Sequence, residues 1–495
     1  MPPYESINLH PNSHDPTTLA SHTYDVIFIG SGWASHTAAK RLAKANLTSV
    51  IIESELFGGD CPFWACVPSK VLLRPGDALE EVKNAPGVSA TTVDGLSAGD
   101  ILKTRDDNTY NWDDSGIINF ISGEKVAVVR GRGRLVDVKK VLVEGIRGQN
   151  ATLEARNAVV VCTGSEPVFP SIPGLAEAKP WTPRHATSTS EVPKHLVILG
   201  AGAVGCEIAT AFTDFGGKVS LITTTAEILP RVDSEAGAVV RKSLSDMGVQ
   251  VHLSSRVTKV DRSFDGELTV FLGGGKVIHA TEILVAAGRK PMTEDLGLEQ
   301  FGLVVDGKPI PVDDSLRIPI ESGDWLYAGG DVNGRAMMTH STKYHGRVLA
   351  RAILAKANAN NFTSAEWDDS SATADNYARP QVIFTRPPVA SVGLTRQTAE
   401  QSGKKVKEIT APVATEASVL RSKKAPRDGW AQWIVDEDSG TLLGATFAGD
   451  GVTELLHAST VAIVGRMNLA QLAHAIPSFP TLSEVYLNLI EAAGF

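Results

Sequence analysis

Cysteine is scarce in this chain: Cys61, Cys66, Cys162 and Cys206 are the only four among 495 residues. That is too few for a disulfide framework, so buried apolar cores must hold the fold. Long apolar runs are also missing. No stretch approaches the ~20 residues that span a bilayer, and no membrane partner is expected. Runs of like charge are absent, and a net charge of −9 argues against nucleic acid as the main partner. The opening "MPPYESINLHPNSHDPTTLASH" has no basic region ahead of an apolar core, lacks Arg, and carries Glu5 and Asp15. It reads as neither a secretory signal nor a transit peptide, but as a polar mobile tail over residues 1–22. The terminal Ala-Ala-Gly-Phe carries no address signal, and the expected location is cytoplasmic.

What is present suits a soluble α/β protein of about two to four domains: 43% hydrophobic and 21% charged residues. A near-repeat organises the chain. "YDVIFIGSGWASHTAAKRLAKANLTSVIIE" (24–53) and "HLVILGAGAVGCEIATAFTDFGGKVSLIT" (195–223) each read as buried strand, Gly-rich turn, helix and second strand. Gly30 to Glu53 and Gly200 to Thr223 are both 23 positions apart. Two such units predict two Rossmann-type dinucleotide sites. In the first, Gly30 permits the tight turn and Gly32 lets the backbone approach a pyrophosphate at the helix N-terminus. Ser35 takes the third glycine's place and is small enough for close packing, while Glu53 can accept from ribose hydroxyls. The second unit has the full Gly200, Gly202, Gly205 set. At its ribose position stands Thr223, followed by Thr224 and Thr225. The missing acid removes the usual discrimination against a 2′-phosphate, so NADPH is favoured over NADH, with Arg231 within possible reach.

Three roles compete for the pair in "GGDCPFWACVPSK" (58–70). A structural disulfide would close a very small loop and restrain the unfolded chain little. Zinc would need further Cys or His at suitable spacing, and Cys162 and Cys206 fall inside dinucleotide-binding segments. No metal is expected. A redox pair fits best, because Pro68 suits a first helical turn and a helix N-terminus stabilises a thiolate.

This stretch resembles the G-G-x-C-x4-C-x-P-S-K signature of the class I pyridine nucleotide–disulfide oxidoreductases, the family of dihydrolipoamide dehydrogenase, glutathione reductase and mercuric reductase. The resemblance runs from residue 24 nearly to the end, through "CTGS" (162–165), "AAGRKP", "AGGDVNG", "VIFTRPPVASVGLT" (382–395), "GTLLGATFAGDGVTELLH" (440–457) and "FPTLSE" (479–484). It implies two Rossmann-type domains and a C-terminal α+β dimerisation domain. The expected division is FAD-binding over 23–170 and 293–357, NAD(P)-binding over 171–292, a linker or surface loop over 358–377, and the interface domain over 378–495. It further implies FAD held by the first turn with Gly59, Thr163, Gly164 and Asp331, and NAD(P)H by the second with Gly288. Cys66 would be the thiolate beside the flavin and Cys61 the exchanging thiol. Lys70 and Glu207 would form an ion pair at the flavin, with Cys162 and Cys206 merely packed. A homodimer sharing its active site across subunits follows by the same likeness.

The family's disulfide-reducing members carry H-P-T-x-S-E, where the His protonates a leaving thiolate. Here the segment is Phe479-Pro480-Thr481-Leu482-Ser483-Glu484, so Glu484 remains and the acid–base residue is an aromatic. His474 is a possible substitute, with Tyr486 and His340 weaker ones. Mercury reduction is not expected, because no cysteine follows Cys206. Arg386 and Pro388 stand where relatives usually have acids. Phe63 and Trp64, between the cysteines, would either offer a stacking platform in the substrate pocket or simply pack. The expected function is electron transfer from NAD(P)H through FAD to Cys61–Cys66 and on to a small-molecule acceptor: a disulfide, a quinone or another electrophile. The alternatives are the reverse relay, a dithiol oxidase using O2 or NAD(P)+, and an inactive FAD-binding module.

Overall fold

Strands buried on both faces require layers on each side, and both Gly-rich repeats supply them. In the computed structural model, which describes residues 3–88, 95–358, 365–421 and 429–495, the first repeat opens a seven-stranded sheet. Parallel strands Val126–Arg130, Ser49–Glu53, Thr23–Ile29, Asn150–Val161 and Leu326–Ala328 lie side by side, with Phe28 opposite both Ile51 and Val160. Two antiparallel strands, Arg132–Asp137 and Lys140–Glu144, complete it. Helices Trp33–Lys44 and Thr339–Ala357 cover one face. They approach closely because Gly346 has no side chain: a Cβ there would stand 2.6 Å from Ala34 O.

The second repeat builds a four-stranded parallel sheet from Gln250–His252, Lys218–Ile222, His195–Leu199 and Glu282–Val285. An antiparallel triplet, Val257–Arg262, Leu268–Leu272 and Val277–Ala280, packs against it. Ser165–Pro167 and Arg289–Pro291 pair antiparallel where the chain leaves the first unit and returns. The third unit is a five-stranded antiparallel sheet, Gln381–Ile383 to Val406–Pro412, backed by helices Leu456–Val464 and Glu484–Ala493. Among the described residues no helix is long and apolar enough to cross a membrane.

Two segments make more contacts than their composition suggests. The opening segment, expected as a polar mobile tail, packs against the first unit. Tyr4 meets the Trp64 ring at 5.3 Å and the His185 ring at 4.3 Å. His10 Nδ1–H donates to Ser54 O at 2.8 Å, and Pro16 is buried. Its aromatic and aliphatic residues have somewhere to bury, which polarity averaged over the segment conceals. The segment expected as a linker or surface loop over 358–377 also carries buried residues, apart from 359–364, which lie outside the described residues. Ser370, Ser371, Thr373 and Asp375 are buried. His345 Nδ1 accepts from Gly330 N–H at 3.0 Å, so its Nε2–H donates to Asp375 at 2.8 Å. Arg335 Nε lies 3.0 Å from the same carboxylate. The supposed loop therefore braces the backbone next to Asp331. Breaking a buried charge cluster from one side typically costs about 3–5 kcal/mol. Asp375→Ala is expected to lose stability of that order in denaturant unfolding followed by circular dichroism.

Candidate active site

Both Gly-rich turns open into one cavity of about 1720 Å³ that also reaches the cysteine pair. That exceeds the roughly 300–1,000 Å³ of an ordinary single-ligand pocket. At the first turn Gly30 has φ +104°, and a Cβ would lie 2.2 Å from Cys162 O, so only glycine fits. Gly32 precedes the helix Trp33–Lys44 and has open space where a side chain would be. Gly59 faces it, with a would-be Cβ 3.5 Å from Gly32 Cα. These two bare positions leave backbone N–H groups free to meet an anion. Ser35 lies beneath, its hydroxyl bonded to Gly30 O and Gly32 O at 2.8 Å. Glu53 accepts from Ser31 N–H and Glu55 N–H at 2.9 Å, and burial pushes its carboxyl above the usual range. These contacts aim it at the turn, with lone pairs left for ribose hydroxyls.

Thr163, Gly164 and Asp331 line the same cavity. Thr163 Oγ1 donates to Met292 O at 2.6 Å, and Ser165 donates to Asp331 Oδ2 at 2.6 Å. Burial pushes Asp331 upward. Sequence reasoning missed the charge cluster beside it. Arg289 donates to Ser165 Oγ at 2.8 Å and meets Asp60 at 2.6 Å. Arg184 meets Asp60 and Glu55, each at 2.8 Å. Burial works against the charge of Asp60, but the two guanidinium groups hold it below the carboxylate range.

At the second turn Gly202 is again open, and a Cβ on Gly205 would stand 2.0 Å from Gly200 O. Thr223, Thr224 and Gly288 also line the cavity. Thr223 Oγ1 and Thr225 Oγ1 are 2.6 Å apart, and the nearby Glu227 is occupied by Arg241 at 2.9 Å. No free acid therefore faces this end from the turn. Arg231 and Arg256 line it instead. Arg256 gave no sequence signal, since it arrives from the antiparallel triplet's side of the fold.

Cys61 lies in the single-turn helix Asp60–Phe63 and Cys66 at the first position of Cys66–Asn84; both thiols are free. Cys66 Sγ is 3.2 Å from Thr339 Oγ1, at the start of another helix. The Cys61 thiol bonded to Cys66, aided by Thr339 and the Lys70 charge, pulls Cys66 down to about 6 against its burial and Glu207. Cys61 is pushed up correspondingly, chiefly because its proton is shared with Cys66. Lys70 and Glu207 are 2.8 Å apart, and Glu207 also accepts from Phe384 N–H at 2.9 Å. Cys162 and Cys206 are buried, and burial pushes both thiols up, Cys162 to about 12.

The remaining expected residues divide. Phe63 and Trp64 pack in a small core with Leu56, while Trp64 also borders the cavity. The two residues are 0% and 3% exposed, with Trp112 stacked on Trp64 and Tyr4 capping it. Phe479 and His474 are exposed and do not line the cavity within this subunit. Tyr486 is bound to Leu455 O and packed against Trp433, and burial pushes its phenol up. Glu484 Oε2 is buried without a partner. His340 does reach the cavity, its Nε2–H donating to Pro380 O at 2.7 Å. Arg386 bridges Asp77 at 3.2 Å and Asp214 at 2.6 Å, which accounts for a cation at that position.

A family model described as pyridine nucleotide-disulphide oxidoreductase matches residues 24–346, and that family's dimerisation domain matches 379–490. A dihydrolipoyl dehydrogenase of Zymomonas mobilis is 30% identical over 478 residues, covering 96% of this chain and 98% of its own. One from Bacillus subtilis is 28% identical over 478 residues, covering 95% and 96%. Among solved structures, the Cu(II) complex of the HOCl-induced flavoprotein disulfide reductase RclA of Escherichia coli has a TM-score of 0.79 at 23% identity, covering 95% of this chain and 99% of that one. LpdA of Mycobacterium tuberculosis has a TM-score of 0.78 at 23% identity, covering 96% and 99%. These two likenesses concern the fold.

The low Cys66 value means its thiolate is populated above pH about 6 and lost below it. A hydrogen bond to a charged group is worth about 1.5–3 kcal/mol, and a pH unit 1.36 kcal/mol. Thr339→Val is therefore expected to raise the midpoint of thiolate absorbance in the reduced protein by about one pH unit.

Proposed function

Because this chain belongs to the pyridine nucleotide-disulphide oxidoreductase family, we propose that it passes electrons from NADPH through FAD to the Cys61–Cys66 pair and on to a small-molecule acceptor. The observation that carries this reading is the low-pKa Cys66 beside Thr339 and the Lys70–Glu207 pair, in one cavity with both Gly-rich turns. The first turn suits FAD: Gly32 and Gly59 leave a cradle that any Cβ would fill, and Glu53 stands at its edge. Bound there, FAD supplies the two-electron carrier between nicotinamide and cysteine pair.

Each residue has a task that follows from its contacts. Gly30, Gly32 and Gly59 would admit the pyrophosphate, and Glu53 would hold ribose hydroxyls. Thr163, Gly164 and Asp331, which line the same cavity, would hold the rest of the group, Asp331 at its ribityl or pyrophosphate region. Lys70 presents positive charge near the reacting groups while Glu207 fixes its direction. Cys66 holds the anion of the reduced pair. Cys61 attacks the acceptor: where that is a disulfide, its sulfur forms a mixed disulfide and one thiolate leaves, and Cys66 then displaces the second. Phe479 cannot protonate either leaving sulfur, which favours acceptors whose reduced form tolerates negative charge. The reverse relay would need a base at the same position to deprotonate a dithiol. Gly200, Gly202, Gly205 and Gly288 suit the nicotinamide dinucleotide. Preference for NADPH is supported by Thr223 and Thr224 in place of an acid and by Arg231 and Arg256 at the same end. A homodimer is supported by the dimerisation domain and by the exposed apolar Val461, Val464, Ile476, Phe479 and Leu487 within it.

Anaerobic titration with NADPH should reduce the bound flavin and raise a long-wavelength absorbance band, with NADH less effective. Cys66→Ser should abolish the band. No reduction by either nucleotide would sink the proposal and leave the binding-module alternative. General acid–base catalysis is worth about 10²–10⁴-fold. Phe479→His should therefore raise the steady-state reduction of simple alkyl disulfides by up to that factor.

A further inference from the structure

Trp33 occupies the first helical position after the first Gly-rich turn and lines the cavity with Cys61, Cys66 and Thr339. Its indole is held on two sides. The His36 ring meets it edge-on at 5.5 Å, with His36 Nε2 bonded to Ser31 Oγ at 2.8 Å. Burial pulls His36 down to about 3, so that ring stays neutral. Lys343 Nζ sits 4.2 Å over the Trp33 ring. Yet the Trp33 Nε1–H is buried with no hydrogen-bond partner. An indole nitrogen can only donate, so it needs an acceptor. A neutral thiol is a weak acceptor and a thiolate a strong one. Gly59, two residues before Cys61, packs on Gly32, the residue before Trp33, and Lys343 lies one helical turn after Thr339, which touches Cys66. The indole and Cys61 therefore share one corner of the cavity, and the indole favours that sulfur's charged form.

We propose that Trp33 is a catalytic residue of the output half, donating its Nε1–H to Cys61 Sγ whenever that sulfur carries negative charge. The assignment rests on the relay reading above and supplies the anion stabilisation that Phe479 cannot. It works without proton transfer by the indole. In the reduced pair one proton is shared, and the anion rests on Cys66. Passing that proton from Cys61 to Cys66 leaves the charge on Cys61, where Trp33 receives it, strengthened by the Lys343 cation on its ring face. Cys61 then attacks one sulfur of R–S–S–R′, the S–S bond breaks, and the electron pair leaves on R′S⁻. Cys66 gives its proton to R′S⁻ and attacks Cys61, breaking the mixed disulfide and releasing RS⁻. One dithiol monoanion and one disulfide become one protein disulfide, one thiol and one thiolate. The acceptor class this selects is a mixed or symmetric disulfide with at least one half, such as an aryl thiol, that is stable as an anion near neutral pH.

The charged and titratable groups around Cys61 are Cys66 with Lys70 and Glu207 behind it, His340 and Lys343 on the Thr339–Ala357 helix, His36 under Trp33, and Asp60 of its own short helix with Arg184 and Arg289 bound to it. The test leaves these in place and removes one donor. Holoenzyme reduced anaerobically with dithiothreitol is alkylated with iodoacetamide across pH, and Cys61 and Cys66 are followed separately by peptide mass spectrometry. In Trp33→Phe the Cys61 midpoint should rise by about one pH unit, a tenfold slower reaction at neutral pH, with Cys66 little changed. Trp33→His, which keeps an N–H, should restore most of the shift. Lys343→Met, which leaves the Gly-rich turn and the indole in place, should raise the Cys61 midpoint by less. Unchanged Cys61 midpoints in Trp33→Phe with normal FAD content, or in Lys343→Met, overturn the assignment. A wild-type enzyme that passes electrons while these midpoints stay fixed refutes Trp33 alone, whereas failure of NADPH to reduce the pair refutes the relay itself.

Discussion

Glu207 is where three parts of the chain are tied together. It lies on the helix after the second Gly-rich turn and is 7% exposed. One carboxylate oxygen takes Lys70 from the cysteine helix, and the other takes Phe384 N–H from the edge of the third unit. A carboxylate so deep is tolerable only with both oxygens occupied. Farther along the same two helices Arg386 bridges Asp77 and Asp214. Gly76 leaves the room for it, since a Cβ there would stand 2.0 Å from Asp214 Oδ2. Two charged links, about two turns apart, therefore set the cysteine helix against the dinucleotide helix. The Cys66–Thr339 contact and the shared cavity depend on that alignment.

Much of this was legible from residues alone, and the reason is locality. A glycine turn is a backbone requirement at one position: Gly30 and Gly200 have φ +104° and +108°, with carbonyls where a Cβ would be. Both βαβ units, and the α+β unit that follows, are readable for the same reason. Lys70 stands one helical turn after Cys66, so that pairing also lies within a local pattern. What stayed hidden is long-range. Arg256 reaches the second turn from another sheet, Asp375 reaches His345 across a segment that looked like a linker, and Tyr4 caps Trp64 from the chain's start. Trp33 was in plain view, but a tryptophan after a Gly turn has no meaning until Cys61 is known to lie beside it. Phe63 and Trp64 left two readings open from sequence, a stacking surface or packing; both rings sit in a satellite core, and Trp64 borders the cavity besides.

The electrostatics of the sulfur pair divide the site into two halves. On one side Thr339, Lys70 and the helix start favour charge on Cys66. On the other, Cys61 carries the shared proton and is correspondingly hard to ionise while that arrangement lasts. In the proposed direction, input would therefore find its anion already placed, whereas output would have to relocate it.

That asymmetry gives the aromatic at position 479 a physical meaning. Where an imidazole serves the output half, the leaving sulfur receives a proton from outside the pair, and the charge on Cys61 is compensated by a group that titrates with it. With Phe479 in that place, and Glu484 Oε2 left buried without a donor, neither compensation is available from the segment. The only mobile proton the sulfurs own is the one they share. It can neutralise one leaving thiolate but not both, because the reduced pair carries a single proton once Cys66 is ionised. Under the proposed relay to a disulfide acceptor, turnover would then be limited by how well the second sulfur bears its charge. Discrimination among acceptors would accordingly shift from the shape of a proton-transfer geometry to the acidity of the thiol released.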